Sequence, residues 1–245
     1  MTDPGERTDQ IAILGDEIAA LRTDNARLRR LLNEQGMPDS LRHALRDTVA
    51  MLHTIMRRTA DSAADVEDYH AHLGGRLDAI VRARLLTDAF GEAELRRLIS
   101  DALGVYLVLE GERAALDGPD VRLRPKAAEV FALAIYELAT NAVEHGILGE
   151  VAGHVSVSWE IVSGEAAPTL RLVWKETGAG EPPIERRQGF GTTVLKEMLP
   201  HNLGAQVTLT YEPDGLQCNV CLPLTHWIGR VVDAQPARGA DNERR

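Results

Sequence analysis

Residues 131–146 read FALAIYELATNAVEHG, and their apolar periodicity predicts a long helix from about residue 126 to residue 145. Glu137, Asn141 and His145 recur at i, i+4 and i+8, so one face of this helix carries a carboxylate, an amide and an imidazole. Taken alone, such a row is more often a solvated helix face than a binding site. The glycine-rich segments further along the chain favour the second interpretation.

The first glycine cluster follows a predicted strand. TLRLVWKE, residues 169–176, is apolar and rich in β-formers, and Gly178 and Gly180 come directly after its last residue, Glu176. A carboxylate at a strand end can accept a hydrogen bond from an exocyclic amine, and bare glycine backbone lets a flat base approach. The cluster is suited to a flat base that carries such an amine, although by itself it also fits a simple turn.

The second glycine cluster opens a helix predicted at about residues 192–202. It consists of Gly189, Phe190, Gly191 and Thr192. Glycines at a helix N-terminus expose amide donors and the positive end of the helix dipole to phosphate. This cluster can also be a turn, but three such motifs in this order, within about 55 residues, are together a much more specific indication of a nucleotide site. Magnesium prefers oxygen ligands, so Mg2+ is expected on the carbonyl of Asn141, together with nucleotide phosphates.

The other segments predict an α+β chain. Residues 91–228 are expected to form an α/β sandwich, with a mixed sheet of about five strands covered by helices on one face. The elements predicted besides those above are a helix at about 92–103, strands at 105–111, 154–162, 205–213 and 216–224, and a turn with a short strand within 116–125. The polar residues 229–245 predict a disordered tail.

The N-terminal third is predicted to be helical and dimeric. Residues 1–10 are expected to be disordered, and residues 11–35 carry three apolar heptads with Asn25 in one apolar column. This pattern favours a parallel coiled coil over a solvated amphipathic helix. After a break at residues 36–40, helical periodicity at 41–59 and again at 64–87 predicts an antiparallel hairpin over residues 39–90. Two such hairpins would form a four-helix bundle in a homodimer.

His43 is the candidate phosphate acceptor. On a helix it falls opposite the apolar stripe of the first hairpin helix, and Asp47 lies one turn further on. A phosphate acceptor needs an accessible, neutral ring nitrogen, which histidine supplies near pH 7. The Asp47 carboxylate can accept a hydrogen bond from the other ring nitrogen, which raises the nucleophilicity of the accessible one. Considered alone, His43 is more simply explained as one of eight histidines on a polar helix face.

Composition excludes several classes of protein. The 245 residues carry a formal net charge of −10, which argues against non-specific nucleic-acid binding because that binding depends on basic side chains. No apolar run approaches the roughly 18 residues that span a bilayer, and the polar start is not a signal peptide, so a cytoplasmic protein without membrane insertion is expected. Cys218 and Cys221 are spaced C-x-x-C within a strand, where i and i+3 point to opposite faces, so packing is preferred over metal or redox chemistry.

The sequence resembles the HWE histidine kinases, whose catalytic domain has the Bergerat (GHKL) ATPase fold. The likeness covers roughly residues 40–225 and is carried by HALRDTVAML (43–52), DGPDVRLRPKAAEVFALAIYELATNAVEHG (117–146), WKETGAGEPP (174–183), GFGTTVLKEML (189–199) and DGLQCNVCLPL (214–224). The resemblance implies that His43 is phosphorylated, that Asn141 holds magnesium beside Glu137, and that Glu176 of the Trp-x-Glu motif faces adenine. The glycines that it places near the nucleotide are Gly178, Gly180, Gly189 and Gly191.

Three departures from the family pattern affect the functional interpretation. Tyr136 stands where the family has the histidine before the glutamate of the magnesium-binding helix. Glu144 replaces a lysine expected near the phosphates, and Ala-Leu-Arg-Asp follows His43 where Arg-Val-Lys-Asn is usual.

The sequence therefore supports an autokinase that phosphorylates His43 from Mg-ATP and passes the phosphoryl group to a response-regulator receiver domain. The alternatives are a histidine phosphotransferase or adaptor that kept the fold without using ATP, and a regulatory protein that sequesters a partner on its helical hairpin.

Overall fold

The computed structural model describes residues 22–24, 26–27, 39–106, 108–144, 148, 153–164, 167–178, 189–213 and 215–232. The chain divides into two compact units, residues 1–75 and residues 76–245. The predicted coiled coil at 11–35 lies outside the described residues, apart from 22–24 and 26–27, which are helical and exposed. Within the described part of the chain, no helix is long and apolar enough to cross a membrane.

The first unit contains α1 (Asp39–Ser62) and the first half of α2 (Val66–Leu85). Two aspartates order the short link between the helices: Asp65 Oδ1 accepts from the Asp68 amide, and Asp68 Oδ2 accepts from the Ala64 amide, both at 2.9 Å. On α1, Ile55 and Thr59 of the predicted apolar stripe are fully buried. Both helices of the predicted hairpin are therefore present, while their antiparallel pairing, the coiled coil and the four-helix bundle remain predictions.

The second unit is built on a five-stranded mixed sheet with the strand order β2-β4-β5-β7-β6. β2 pairs with β4 in parallel, and the other neighbours are antiparallel. The alternating sequences of these strands place apolar side chains on one face, as the buried residues of β5 and β7 show. The strands are β2 (Ala114–Asp117), β4 (His154–Val162), β5 (Thr169–Thr177), β6 (Gln206–Glu212) and β7 (Gly215–Pro223).

Helices supply the rest of the core of this unit. α4 (Pro125–Glu144) begins with a proline, which is favourable in the first turn, and nearly all its residues from Ala127 to Ala142 are buried. A helix that is buried on nearly every side has to be enclosed by other elements. α3 (Leu95–Gly104) buries one face beside it. The helical segment that begins within the second glycine cluster consists of α5 (Phe190–Thr193), a π-helical turn (Val194–Met198) and α6 (Leu199–Leu203).

A second, smaller sheet was not predicted. It has the order β1-β3-β8, with β1 (Ala93–Glu94), β3 (Val121–Leu123) and β8 (Gly229–Val231). The side chain of Glu92 is 4% exposed and lies 2.9 Å from Arg230 Nη2 and 3.4 Å from Arg124 Nη1. These ion pairs, with antiparallel pairing to β3, hold the first residues of the segment that was predicted to be a disordered tail from Gly229.

Two other sequence-based assignments differ from the structure. The strand predicted at residues 105–111 is wrong: Val105 and Tyr106 form a turn after α3, and the strand in this region is β2, beginning at Ala114. The boundary between units follows Gly75, whereas the sequence placed it after residue 90. The physical reason is that the last ten residues of α2 belong to the core of the second unit, where Arg76 and Arg84 form ion pairs with α4.

Candidate functional site

α4, the helix predicted to hold magnesium, and the second glycine cluster meet in the structure. Asn141 is half-buried near the end of α4, and Gly191 is buried in the first turn of α5. A Cβ atom at position 191 would lie 2.9 Å from Asn141 Nδ2 and 3.2 Å from Glu137 Oε2. Such approaches are tighter than normal packing allows. Position 191 therefore needs glycine because the start of α5 lies directly against the polar face of α4.

Glu137 is 3% exposed and forms a buried ion pair with Arg76. Arg76 Nε lies 2.7 Å from Glu137 Oε1, and Nη2 lies 3.2 Å from Oε2, so two parallel hydrogen bonds join the side chains. The guanidinium also lies over the ring of Phe190, 4.2 Å from its centroid. One arginine thus contacts both the carboxylate of the predicted site and the first residue of α5.

The end of β5 carries the carboxylate expected to face adenine. Glu176 is 1% exposed, and its Oε1 accepts a hydrogen bond of 3.2 Å from Trp174 Nε1. The two side chains point the same way because residues i and i+2 share one face of a strand. Gly215, with φ +149°, passes so close that a Cβ there would overlap the Glu176 carbonyl. The Trp-x-Glu motif therefore forms a compact buried unit.

Cys218 lies on the same buried face, in register with Trp174. Burial, with a smaller contribution from the Glu176 charge, raises the pKa of the Cys218 thiol to about 12. Cys218 is fully buried, whereas Cys221 is half-exposed on the other face. The prediction that the two cysteines point to opposite faces of a strand is confirmed.

A group of hydroxyls surrounds Tyr136, the position where the family has histidine. The Tyr106 hydroxyl lies 2.6 Å from Thr140 Oγ1, and the rings of Tyr106 and Tyr136 are 6.3 Å apart. Burial is the main cause that raises the pKa of Tyr106, so its hydroxyl stays protonated and neutral. Thr140 precedes Asn141, so this hydroxyl contact lies one residue from the predicted magnesium ligand.

The remaining predicted site residues fall into three groups. His43 and Asp47 belong to the first unit, where both are exposed on α1, as the periodicity predicted. Gly178 follows β5, and Gly189 precedes α5; the Thr192 amide donates to the Gly189 carbonyl at 3.1 Å, which closes the first turn. The two others, His145 and Gly180, lie outside the described residues.

Arg76 is the residue of this site that sequence reasoning missed. It stands in the middle of a helix, directly after Gly74 and Gly75, and 61 positions before the glutamate that it contacts. Nothing local in the sequence distinguishes it from the other arginines of α2. Only the antiparallel packing of α2 on α4 brings it to Glu137.

Comparisons with known proteins identify the proteins that this chain is similar to. Residues 40–120 match the family model described as HWE histidine kinase. A blue-light-activated histidine kinase of Brucella anthropi is 29% identical over 196 residues, which is 78% of this chain and 40% of that protein. One of the same description from Brucella ovis is 27% identical over 195 residues, covering 79% of this chain and 40% of that protein. The chain thus spans about 40% of the length of the curated relatives it matches.

Among solved structures, the blue-light activated histidine kinase of Erythrobacter litoralis superimposes with a TM-score of 0.50 at 19% sequence identity. The match covers 72% of this chain and 59% of that one. At this identity the likeness concerns the fold alone, a mixed sheet with helices on one face.

Proposed function

We propose that this chain, which matches the HWE histidine kinase family over residues 40–120, is a kinase of that family that binds ATP with magnesium in its second unit and transfers the terminal phosphoryl group to His43. The observation that carries the proposal is the close approach of Gly191 to Asn141 and Glu137. Because position 191 has no side chain, the backbone at the start of α5 lies directly beside a magnesium-type ligand. A nucleoside triphosphate would use both of them, the ligand for its magnesium ion and the backbone of the helix start for its phosphates.

The donor set fits the proposed ligands. The Asn141 side chain is half-buried at the edge of the core, where a carbonyl oxygen can serve a hard cation. Glu176 is a buried carboxylate beside Trp174, suited to accept a hydrogen bond from an exocyclic amine. Magnesium, when bound, would offset the charge of the phosphates, and the first turn of α5 would add amide donors from uncharged backbone.

His43 would supply the nucleophile. Its exposure on α1 leaves the ring accessible, and the Asp47 carboxylate one turn away can hold the proton of the other nitrogen. A ring nitrogen of His43 would attack the terminal phosphorus while the bond to the bridging oxygen breaks and ADP leaves. Most of the rate enhancement would come from positioning and charge neutralisation, as in other phosphoryl transfers.

The phosphohistidine would then pass its group to an aspartate of a response-regulator receiver domain, and the hairpin would support a homodimer. Both steps are proposals that follow from membership of the family. No nucleic-acid partner is proposed, because the chain is acidic overall.

One observation favours a second candidate, a phosphotransferase or adaptor that does not use ATP. Glu144 is exposed at the end of α4, one turn beyond Asn141, where a negative charge would repel phosphates. At an effective dielectric constant of about 20, two like charges at about 6 Å repel by roughly 3 kcal/mol, a penalty of about a hundredfold in affinity that a bound magnesium ion would reduce.

Calorimetry separates the two candidates. Titration of the full chain with Mg-ADP should give saturable binding, and Asn141→Asp should weaken it strongly. Absence of binding at millimolar nucleotide would favour the adaptor. Glu144→Lys is the informative companion variant: it should tighten binding in a kinase but create no site in an adaptor.

A further inference from the structure

We propose that Arg76 is a positioning residue of the nucleotide site, acting through Glu137 and Phe190; the inference rests on the proposed function. The Arg76 side chain is 6% exposed and that of Glu137 4% exposed, so both charges are removed from water. Two hydrogen bonds, of 2.7 and 3.2 Å, fix the plane of the carboxylate relative to the guanidinium. A carboxylate held in this way cannot rotate without breaking the pair.

The second contact extends this control to the start of α5. The guanidinium carbon lies 4.2 Å from the centroid of the Phe190 ring, and Phe190 is 3% exposed. A cation above an aromatic face is attracted to it, more strongly when water is excluded. Phe190 precedes Gly191, whose backbone lies against Asn141 and Glu137. One guanidinium therefore connects the polar face of α4 to the helix start that would meet the phosphates.

The Arg76–Glu137 ion pair contributes more to the fixed orientation of its side chains than to the stability of the fold. A buried ion pair gains little net stability, because desolvation of both charges offsets most of their attraction. What apolar residues of equal volume would not supply is the fixed orientation of the carboxylate and the ring. Lysine would not supply it either, because a single ammonium has neither the planar fork nor the flat face of arginine.

The same two helices contain a second arginine–glutamate ion pair away from the site, in which the arginine side chain is 58% exposed. Arg84 lies eight residues after Arg76 on α2, and Glu129 lies eight residues before Glu137 on α4, so the helices run antiparallel. Arg84 Nε is 2.6 Å from Glu129 Oε1, and the Glu129 side chain is 7% exposed. This pair has the same chemistry but is two turns from Glu137, so it separates a structural effect from an effect on the site.

The test compares Arg76→Gln, Arg76→Lys and Arg84→Gln in the full chain. Mg-ADP binding is measured by calorimetry, KM and kcat for ATP by label incorporation, and the thermal midpoint by circular dichroism. We expect Arg76→Gln to raise Kd and KM roughly tenfold or more, because displacements of about 1 Å in a site have effects of this size. Arg84→Gln should lower the thermal midpoint but leave Kd within about twofold.

Arg76→Lys gives the signature that a purely structural role would not produce. Lysine keeps a positive charge beside Glu137, so it should recover most of the thermal midpoint while affinity for Mg-ADP stays low. In a double-mutant cycle, Glu137→Gln and Arg76→Gln together should weaken binding no more than the stronger single variant, because both act through one contact. If Arg76→Gln does not fold, the double variant Arg76→Met with Glu137→Met is tested in its place. It leaves no buried charge unpaired, and we expect the same loss of affinity for Mg-ADP.

Three results would overturn the inference. One is wild-type affinity for Mg-ADP in folded Arg76→Gln, Arg76→Lys or the double methionine variant. The second is an equal loss of affinity in Arg84→Gln. The third is a gain of phosphorylation in Arg76→Gln, which would make the arginine a restraint on the site. A wild-type chain that binds no nucleotide would refute the proposed function itself, and is recognised before any variant is made.

Discussion

Replacement of Gly191 by alanine tests the close contact between α5 and α4. The added methyl carbon would lie 2.9 Å from Asn141 Nδ2, 3.2 Å from Glu137 Oε2 and 3.4 Å from Glu137 Cβ. Because non-bonded heavy atoms pack at about 3.5–4.0 Å, the Asn141 amide or the start of α5 has to move by roughly 0.5 Å or more. Overpacking of this kind costs about 1–3 kcal/mol.

If Asn141 has to return to its place to hold magnesium, that cost appears in the binding free energy. At about 1.4 kcal/mol per tenfold change, the Kd for Mg-ADP should rise by about 5- to 150-fold. The assay is calorimetric titration of the full chain at fixed magnesium. The control is Gly104→Ala at the end of α3, where a Cβ meets nothing within 4 Å. Unchanged affinity in folded Gly191→Ala would refute the reasoning, because it would mean that the contact does not form part of the nucleotide site.

Four further predictions concern other parts of the chain. Gly118→Ala should destabilise the second unit by about 3 kcal/mol or more in urea unfolding, because φ is +157° and a Cβ would overlap the Trp159 ring; a midpoint equal to that of wild type would contradict this. The half-exposed Cys221 should react with iodoacetamide long before Cys218, and only Cys221 should react in the native protein at pH 8. Because the pKa of the Cys218 thiol is raised, the contribution of this thiol to stability is complete below about pH 9 and is lost as the pH rises towards 12. Cys218→Ala should therefore flatten the fall in the free energy of unfolding between these pH values, and an unchanged slope would count against this prediction. Asp47→Asn should slow phosphorylation of His43 roughly a hundredfold without changing the Kd for Mg-ADP, and a variant as fast as wild type would remove Asp47 from the mechanism.

Much of the fold could be predicted because the local patterns are strong. β4 spans His154–Val162, the nine residues whose alternation predicted a strand, and α4 begins at Pro125, within one residue of the predicted start. In β4 the alternation of a strand extends over enough residues to exclude a helix, and in α4 the helical period extends over enough residues to exclude a strand. The exposure of His43 and the burial of Ile55 followed from helical periodicity in the same way.

The errors occurred where tertiary contacts override local preference. Residues 105–111 are apolar enough for a strand, yet Val105 and Tyr106 form the turn after α3, and the edge strand of the sheet is β2. Gly229–Val231 precedes a polar tail and carries little strand signal of its own. It pairs because β3 offers a free edge and Arg230 has a buried partner in Glu92.

The candidate site was predictable in its motifs but not in its connections. The spacing of Glu137 and Asn141 identified one face of a helix, and the glycines identified the segment that approaches it. The role of Arg76 depends on the register of two antiparallel helices, and no local pattern encodes that register. The same limit explains why the boundary between the units was placed fifteen residues too late, after 90 instead of 75.

Transfer of phosphate from ATP to His43 is the central claim, and one labelling experiment tests it most directly. The purified chain is incubated with magnesium and ATP labelled on the terminal phosphate, and the label is then tested for acid lability and located by peptide mapping. The account predicts an acid-labile, base-stable label on His43 that disappears in His43→Ala, while that variant binds Mg-ADP as tightly as wild type. Label that persists in His43→Ala, or a wild-type chain that binds Mg-ADP but takes up no label, would contradict it.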